Sequence, residues 1–378
     1  MFLLWLSFPI ALYVVWRLVW RLPSFPTWAK WVLTLVVLVA SQQYAVFRLG
    51  AGTMASPELP RALILLTNWG FASLLFITVI LLLWDIVGMV LWLVARRAGR
   101  AILTAYRSRA AVALLLALGV AYGVAQAVRV PDVKRIEVRI PNLPAALDGY
   151  RMVHLTDLHA SRILERAWMQ GVVDKALALD PNVFVLTGDL ADGTVANRRD
   201  AMEPLRQLAL KHRVVSTPGN HEYYSAYHDW MQHLDAMNLH MLQNEHVLLE
   251  HQGAQLAVAA VTDEAADRVK ANRPDIAKAL QGIPAGVPTI LLSHRPKPAV
   301  EYAKHPVALQ LSGHTHGGHA LGMQYVVARE NAGFVSGLYQ VGNMQLYVSN
   351  GAGLWPGFAI RLGVPSEITE ITLRPEAQ

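Results

Sequence analysis

Four runs of mostly apolar residues, each about long enough to cross a bilayer, occupy the first 128 positions of this chain. A membrane-spanning helix needs about 20 such residues. The runs lie near 1–20, near 30–48, within 62–95 and near 110–128. The third would be roughly 51 Å long if wholly helical at 1.5 Å per residue, against a hydrocarbon core of about 30 Å. Its span is therefore expected at about 71–95, with 62–70 at the interface. A single run of this kind could be a buried soluble helix. Four in succession, with Trp5, Trp16, Trp20, Trp28, Trp31 and Trp92 near their ends, predict a four-helix transmembrane bundle over 1–130. The first run is expected to be retained rather than cleaved, because no basic segment precedes it.

Charge separates the chain in the same way. Residues 1–130 carry eleven Lys/Arg against Glu58 and Asp85, a net of +9. The whole chain is +6, so the remainder carries about −3. Such basicity can mark a nucleic-acid binder, but these residues stand at the ends of apolar runs, so no nucleic-acid partner is expected. Arg17, Arg21 and Lys30 flank the first connection, and Arg96, Arg97, Arg100, Arg107 and Arg109 crowd the third. The second has Arg48 and Arg61. Basic connections stay in the cytoplasm. The expected topology puts the N-terminus and everything after about Val130 outside the cytoplasm. In a bacterial inner membrane that side is the periplasm. Asp85, inside the third run, is a functional carboxylate, a paired one with Gln42 or Gln43 on the second helix as the expected partners, or a protonated carboxyl.

Residues 131–148 read as a linker running into a first strand, punctuated by Pro131, Pro141 and Pro144. Over 149–378 the pattern becomes strand–helix alternation. Strands are expected at 151–156, 183–187 and 213–217, with helices at 165–179 and 201–211. Further strands follow at 247–250, 255–261, 289–293, 307–312, 345–349 and 367–373. The pattern predicts an α/β domain with a second sheet packed on the first. Ligands of open α/β sheets bind beyond the carboxyl ends of strands.

Five polar clusters stand at those ends: Asp157-x-His159, Gly188-Asp189, Gly219-Asn220-His221-Glu222, Ser293-His294 and Gly313-His314-Thr315-His316. All 14 histidines lie between His154 and His319, and there is no cysteine to supply a thiolate ligand. Oxygen and imidazole donors together suit divalent zinc, manganese or iron. Any one cluster is an ordinary turn. Five in this order, each after a strand, point to a metal centre.

The five clusters match the pattern D-x-H, G-D, G-N-H-[DE], H, G-H-x-H, and the chain resembles the calcineurin-like metallophosphoesterase superfamily. The ending Gly351-Ala-Gly-Leu-Trp-Pro-Gly-Phe-Ala-Ile-Arg361 resembles its bacterial membrane-associated branch. The resemblance covers about 148–375 and leaves the apolar N-terminal part untouched. It implies a four-layer α/β/β/α sandwich and two divalent metal ions. Asp157, His159 and His316 would bind the first ion, Asn220, His294 and His314 the second, and Asp189 both. His221 would bind no metal but face the substrate phosphate as a catalytic residue, its imidazolium either stabilising or protonating the leaving group. A water shared by the ions would lose a proton and attack phosphorus in line with the leaving oxygen. His319 departs from relatives that carry Gln after the double glycine, which bears on the substrate side of that loop.

The other polar residues near the clusters carry weaker expectations. Glu222 either orients His221 or caps the following helix. Arg295 is expected to be an exposed loop charge rather than a phosphate contact. Tyr223, Tyr224, His228 and Trp355 are expected in packing or surface roles rather than lining a substrate groove.

The function expected is that of a membrane-anchored phosphoesterase or phosphodiesterase. It would hydrolyse phosphate esters, with lipids and cell-envelope components as the substrates to test first. One competing reading is a pyrophosphatase of the UDP-diacylglucosamine type, which the expected topology disfavours because that substrate is cytoplasmic. The other is a membrane sensor or transporter regulated by its phosphoesterase domain, for which Asp85 is the only support.

Overall fold

The computed structural model describes residues 2–376 apart from positions 24, 52 and 54, and omits the side chains of 2–6, 50 and 51. Residue 1 of the first expected span, the side chain of Trp5 and the last two residues of the expected catalytic segment therefore lie outside the described residues. The chain divides into two compact units. One comprises 1–126 with 356–362, the other 127–355 with 363–378.

The first unit is helical. Phe2–Val14 runs into a π-helical turn, Val15–Val19. Thr27–Ser41 and Gln43–Ala51 follow, then the long helix Arg61–Val94, the short Arg96–Leu103 and finally Tyr106–Ala127. Only Arg61–Val94 and Tyr106–Ala127 are, among the described residues, single helices long and apolar enough to span a membrane. The second expected span is a pair of helices bent by 62°, and the first is a shorter apolar helix, Ser7–Val19. The bend falls where polar groups replace apolar ones. The Ser41 hydroxyl donates to the Leu38 carbonyl at 2.7 Å, and Gln43 Nε2 donates to the Gly357 carbonyl at 3.1 Å. Side-chain hydrogen bonds that divert the backbone ladder bend helices.

The 34-residue helix is continuous through 62–70. Its polar Asn68 is buried and holds the late segment: Nδ2 donates to Pro356 O at 2.8 Å, and Ala359 N donates to Oδ1 at 2.7 Å. Asp85 does not pair with Gln42 or Gln43. Its carboxylate accepts from Arg17 Nε at 2.7 Å, Arg109 Nη2 at 2.8 Å and the Tyr13 hydroxyl at 2.7 Å.

Among the described residues the second unit contains eleven strands in two mixed sheets. The first sheet holds β1 (Asp132–Ile140), β2 (Arg151–Leu155), β3 (Val183–Thr187), β4 (Arg213–Thr217) and β11 (Glu367–Pro375), in the order β1-β11-β2-β3-β4. The second holds β5 (Glu245–His251), β6 (Ala254–Ala260), β7 (Thr289–Leu292), β8 (Leu309–Ser312), β9 (Gly337–Val341) and β10 (Met344–Val348), in the order β5-β6-β7-β8-β10-β9. Strands β2, β3 and β4 run parallel, as do β6, β7, β8 and β10. Parallel strands are covered on both faces and read as continuous apolar runs, as β3 does with Val-Phe-Val-Leu-Thr, every residue buried.

The two sheets share one core. Met152, Val183, Val185 and Val215 of the first pack in one cluster with Leu256, Val258, Ile290 and Leu311 of the second. On the outer side of the second sheet, Val261, Leu291 and Leu346 cluster with Ala279, Ala299 and Tyr302 from short helices. The expected helix at 201–211 is broken. Pro204 ends Val195–Met202 through a 3₁₀ turn, and Arg206–Lys211 is a separate helix. Strand β9 and the helix Gln324–Glu330 were not expected from the sequence pattern.

Candidate metal centre

Each of the five clusters follows the carboxyl end of a parallel strand: β2, β3 and β4 of the first sheet, β7 and β8 of the second. Five of the seven candidate ligands have left-handed backbone: Asp157 (φ 54°), His159 (46°), Asp189 (52°), His314 (70°) and His316 (50°). L-residues visit that region rarely, and such strain gathers at functional sites. Gly313 is required by space. A Cβ there would stand 2.1 Å from Asp157 Oδ2 and 2.2 Å from Thr156 Oγ1.

These turns bring three sets of donors together, each set lying within 4.8 Å of one another: Asp157, His159 and His316; His159, Asp189 and His221; and Asp189, His294 and His314. His316 Nε2 stands 3.6 Å from Asp157 Oδ1, and His294 Nε2 stands 3.1 Å from Asp189 Oδ2. His159 Nε2 lies between Asp157 Oδ1 at 3.9 Å and Asp189 Oδ2 at 3.8 Å. Asn220 stands on the same turn as His221, whose backbone N–H donates to Asp189 Oδ1 at 2.8 Å.

The donors fit divalent cations. His159 Nε2 and Asn220 Oδ1 are buried and have no hydrogen-bond partner. That is costly for a polar atom unless something else fills the place. Metal-bound imidazoles usually donate their other N–H to a carboxylate or carbonyl. His294 Nδ1 is 2.7 Å from the Thr187 carbonyl, and His159 Nδ1 is 3.1 Å from Asp192 Oδ2. In each ring this leaves Nε2 facing the centre.

Electrostatics agree. Burial opposes charge on Asp189, but the imidazoles of His294 and His221 hold its carboxyl well below the usual range. Burial also opposes the His221 imidazolium, and the carboxylates of Asp189 and Asp192 overcome it, raising the group to about 9. Burial, reinforced by His294 and Arg295, keeps His314 neutral, which is the ligating form. The centre is a pool of buried carboxylates that demands positive charge, which protons supply when no cation does.

Two further carboxylates support the centre: Asp192, which sequence reasoning missed, and Glu222, for which capping of the following helix was one of the two expectations. Asp192, fully buried in its side chain, binds Nδ1 of both His159 and His221. Its only sequence mark is its position three residues after Asp189. Glu222 does not touch His221 through its carboxylate. It accepts from Gly219 N at 2.8 Å, Asp189 N at 3.0 Å and Leu190 N at 2.7 Å, capping its helix and tying two ligand loops together. Arg295 is not a free surface charge. Nε donates to Asp263 Oδ2 at 2.8 Å, and Nη1 lies 3.4 Å from His314 Nε2. Tyr224 and Trp355 stand 4.9 and 6.3 Å from the His221 ring. Tyr223 is buried and stacked on Tyr227, while His228 is exposed. The His319 ring is 5.0 Å from that of His316.

Comparison with known proteins gives a consistent result. The model of the calcineurin-like phosphoesterase family matches residues 150–318. A bovine (Bos taurus) transmembrane protein with metallophosphoesterase domain is 34% identical over 301 residues, 75% of this chain and 67% of that one. Its zebrafish (Danio rerio) namesake is 32% identical over 278 residues, 71% of this chain and 63% of that one. An uncharacterized metallophosphoesterase of Helicobacter pylori is 33% identical over 250 residues, 66% of this chain and 65% of that one. The match thus spans about two thirds of each relative's length.

Proposed function

The chain belongs to the calcineurin-like phosphoesterase family, and from that premise we propose that it is a membrane-anchored hydrolase of phosphate esters that works with two divalent metal ions. The observation carrying this reading is the juxtaposition of two donor triads, Asp157/His159/His316 and Asp189/His294/His314, with His159 within reach of Asp189. In the proposed assignment Asp157, His159 and His316 hold one ion. Asn220, His294 and His314 hold the other, and Asp189 is shared. Bound there, the ions would acidify a water and neutralise charge on the phosphoryl oxygens.

The protein's own groups do the rest. His221 holds a proton with Asp192 behind Nδ1, and Nε2 is the atom that gives this proton to the leaving oxygen as its bond to phosphorus breaks. Glu222 fixes the turns carrying Asp189 and Asn220 by accepting their backbone N–H groups or those of their neighbours. Arg295, held by Asp263, adds fixed positive charge beside His314.

The apolar helices and the basic residues of the first and third connections support an integral membrane protein with its catalytic domain outside the cytoplasm. Manganese, zinc and iron all suit these donors. The test is purified full-length protein, stripped of metal and reloaded with each ion, assayed on p-nitrophenyl phosphate and bis-p-nitrophenyl phosphate. Metal-dependent turnover is expected, with about two ions per chain by elemental analysis. Turnover indifferent to chelation sinks the proposal. A reporter fused after the C-terminus, active only in the cytoplasm, sinks the orientation.

A further inference from the structure

Past the buried Ala320 the chain leaves the core. Gly317 and Gly318 take left-handed backbone (φ +61° and +83°), and the excursion that follows includes the helix Gln324–Glu330, which has no buried residue. Leu321, Tyr325 and Val326 are 67, 74 and 68% exposed. Single exposed apolar residues are ordinary, whereas neighbouring ones mark a binding surface. Beside them lies a groove of about 560 Å³ whose lining includes Gly317, Leu321, Tyr325, Val335, Tyr339 and Val364. No lining residue carries a charge. The volume and the uncharged, largely apolar lining are those of a site for a small apolar group.

One wall is preformed. The Tyr339 hydroxyl accepts from Val335 N at 3.0 Å and Ser336 N at 3.2 Å, and its ring packs on Phe334 at 5.2 Å. The groove begins one residue from the metal centre, because its lining residue Gly317 directly follows the candidate ligand His316. A molecule with a phosphoester head at the centre and a hydrocarbon tail leaving past Gly317 matches both chemistries. The chain's own apolar helices keep it among molecules of that kind.

We propose that this groove receives an acyl chain, and that the natural substrate is a membrane lipid phosphoester; this rests on the hydrolase reading above. The groove sets selectivity and the metal centre does the chemistry.

The test uses full-length protein in lipid nanodiscs containing a phospholipid with a diazirine in its acyl chain. After illumination, adducts are expected on Leu321, Tyr325 or Val364, reduced about fivefold or more by Ala328→Trp, which fills the groove. Tyr325→Asp, at an exposed position, is a second variant with little risk to folding. Both should lower the ratio of kcat/KM for a long-chain lipid phosphoester to that for bis-p-nitrophenyl phosphate about tenfold or more. Adducts confined to the apolar helices, or an unchanged ratio in both variants, overturn the proposal. Cross-links joining two copies through 321–326 assign the groove to a second copy and overturn it as well. If the wild type hydrolyses neither ester with any divalent ion, the hydrolase reading falls and the lipid-substrate proposal with it. The adducts then still decide whether the groove holds an acyl chain.

Discussion

The rings of His159 and His221 stand edge to face with centroids 4.6 Å apart, and one carboxylate, Asp192, holds the Nδ1 atoms of both. A candidate metal ligand and the candidate proton donor therefore share one orienting group. Asp192→Asn keeps the shape but removes the charge. Carboxylates behind ligating imidazoles are typically worth about 10–100-fold in metal affinity or activity. Asp192→Asn is expected to lose within that range in both metal affinity, read by competition with a chelating dye, and turnover. Unchanged metal affinity and turnover would remove Asp192 from this role.

His221 and Asp189 should separate cleanly. General acids contribute about 10²–10⁴-fold, so His221→Ala should lose rate by that order while elemental analysis finds the metal retained. Asp189→Ala, at a residue that like His159 belongs to two donor sets, should lose metal and turnover together. A His221→Ala protein with wild-type turnover contradicts the assignment.

How far the sequence carried depends on where the information lies. The five clusters were readable because each sits on a short turn after a strand whose apolar run is itself visible, as Val183–Thr187 precedes Gly188-Asp189. Asp192 was not readable as a support, because its partners His159 and His221 follow other strands and a spacing of three residues does not name it. For Glu222 only the local helix cap was readable, because Asp189 N and Leu190 N come from the loop after another strand. The partners of Asp85 were missed for the same reason: Arg17 lies 68 residues before it and Arg109 24 after. The bend after Ser41 and the excursion after Ala320 have no periodic pattern to betray them. Hydropathy located the apolar segments, but only two of the four are single helices of spanning length among the described residues.

Gly313 offers a test of packing. With 2.1 Å between a would-be Cβ and Asp157 Oδ2, Gly313→Ala must displace a carboxylate whose Oδ1 and Oδ2 both accept from His314 N at 3.1 Å. Overpacking of this kind costs about 1–3 kcal/mol. The variant should melt at a lower temperature and lose most of the stabilisation that added divalent metal gives the wild type. A melting curve superimposable on wild type, with and without metal, would show that the turn can give way.

Asp85 bears on the bundle. Its carboxylate, on the long helix, joins Tyr13 and Arg17 of the first helix to Arg109 of the last, and the Arg109 side chain is 0% exposed. Removing one partner of a buried ion pair costs about 3–5 kcal/mol, because the remaining charge is left uncompensated. Asp85→Ala should therefore aggregate at a markedly lower temperature in detergent. Asp85→Ala combined with Arg17→Met should recover part of the loss, since it removes one stranded cation. If the double variant is no more stable than the single one, the charges are not what the pair supplies.

His154 makes stability depend on acid. The ring is buried against Thr187, with Nε2 2.8 Å from Oγ1, and burial lowers its pKa from 6.5 to about 3. The unfolded chain therefore binds this proton below about pH 6.5, while the folded chain resists it until about pH 3. Stability from this group is complete above pH 6.5 and falls as pH drops through that window, by roughly 3 kcal/mol at pH 4.5. His154→Gln, which cannot take up the proton, should flatten the fall in unfolding free energy between pH 6.5 and 4.5 by about that amount. The comparison is made by denaturant titration at each pH on metal-free protein, so that loss of metal does not enter. A variant whose stability falls as steeply as the wild type's would show that the acid lability resides in other groups.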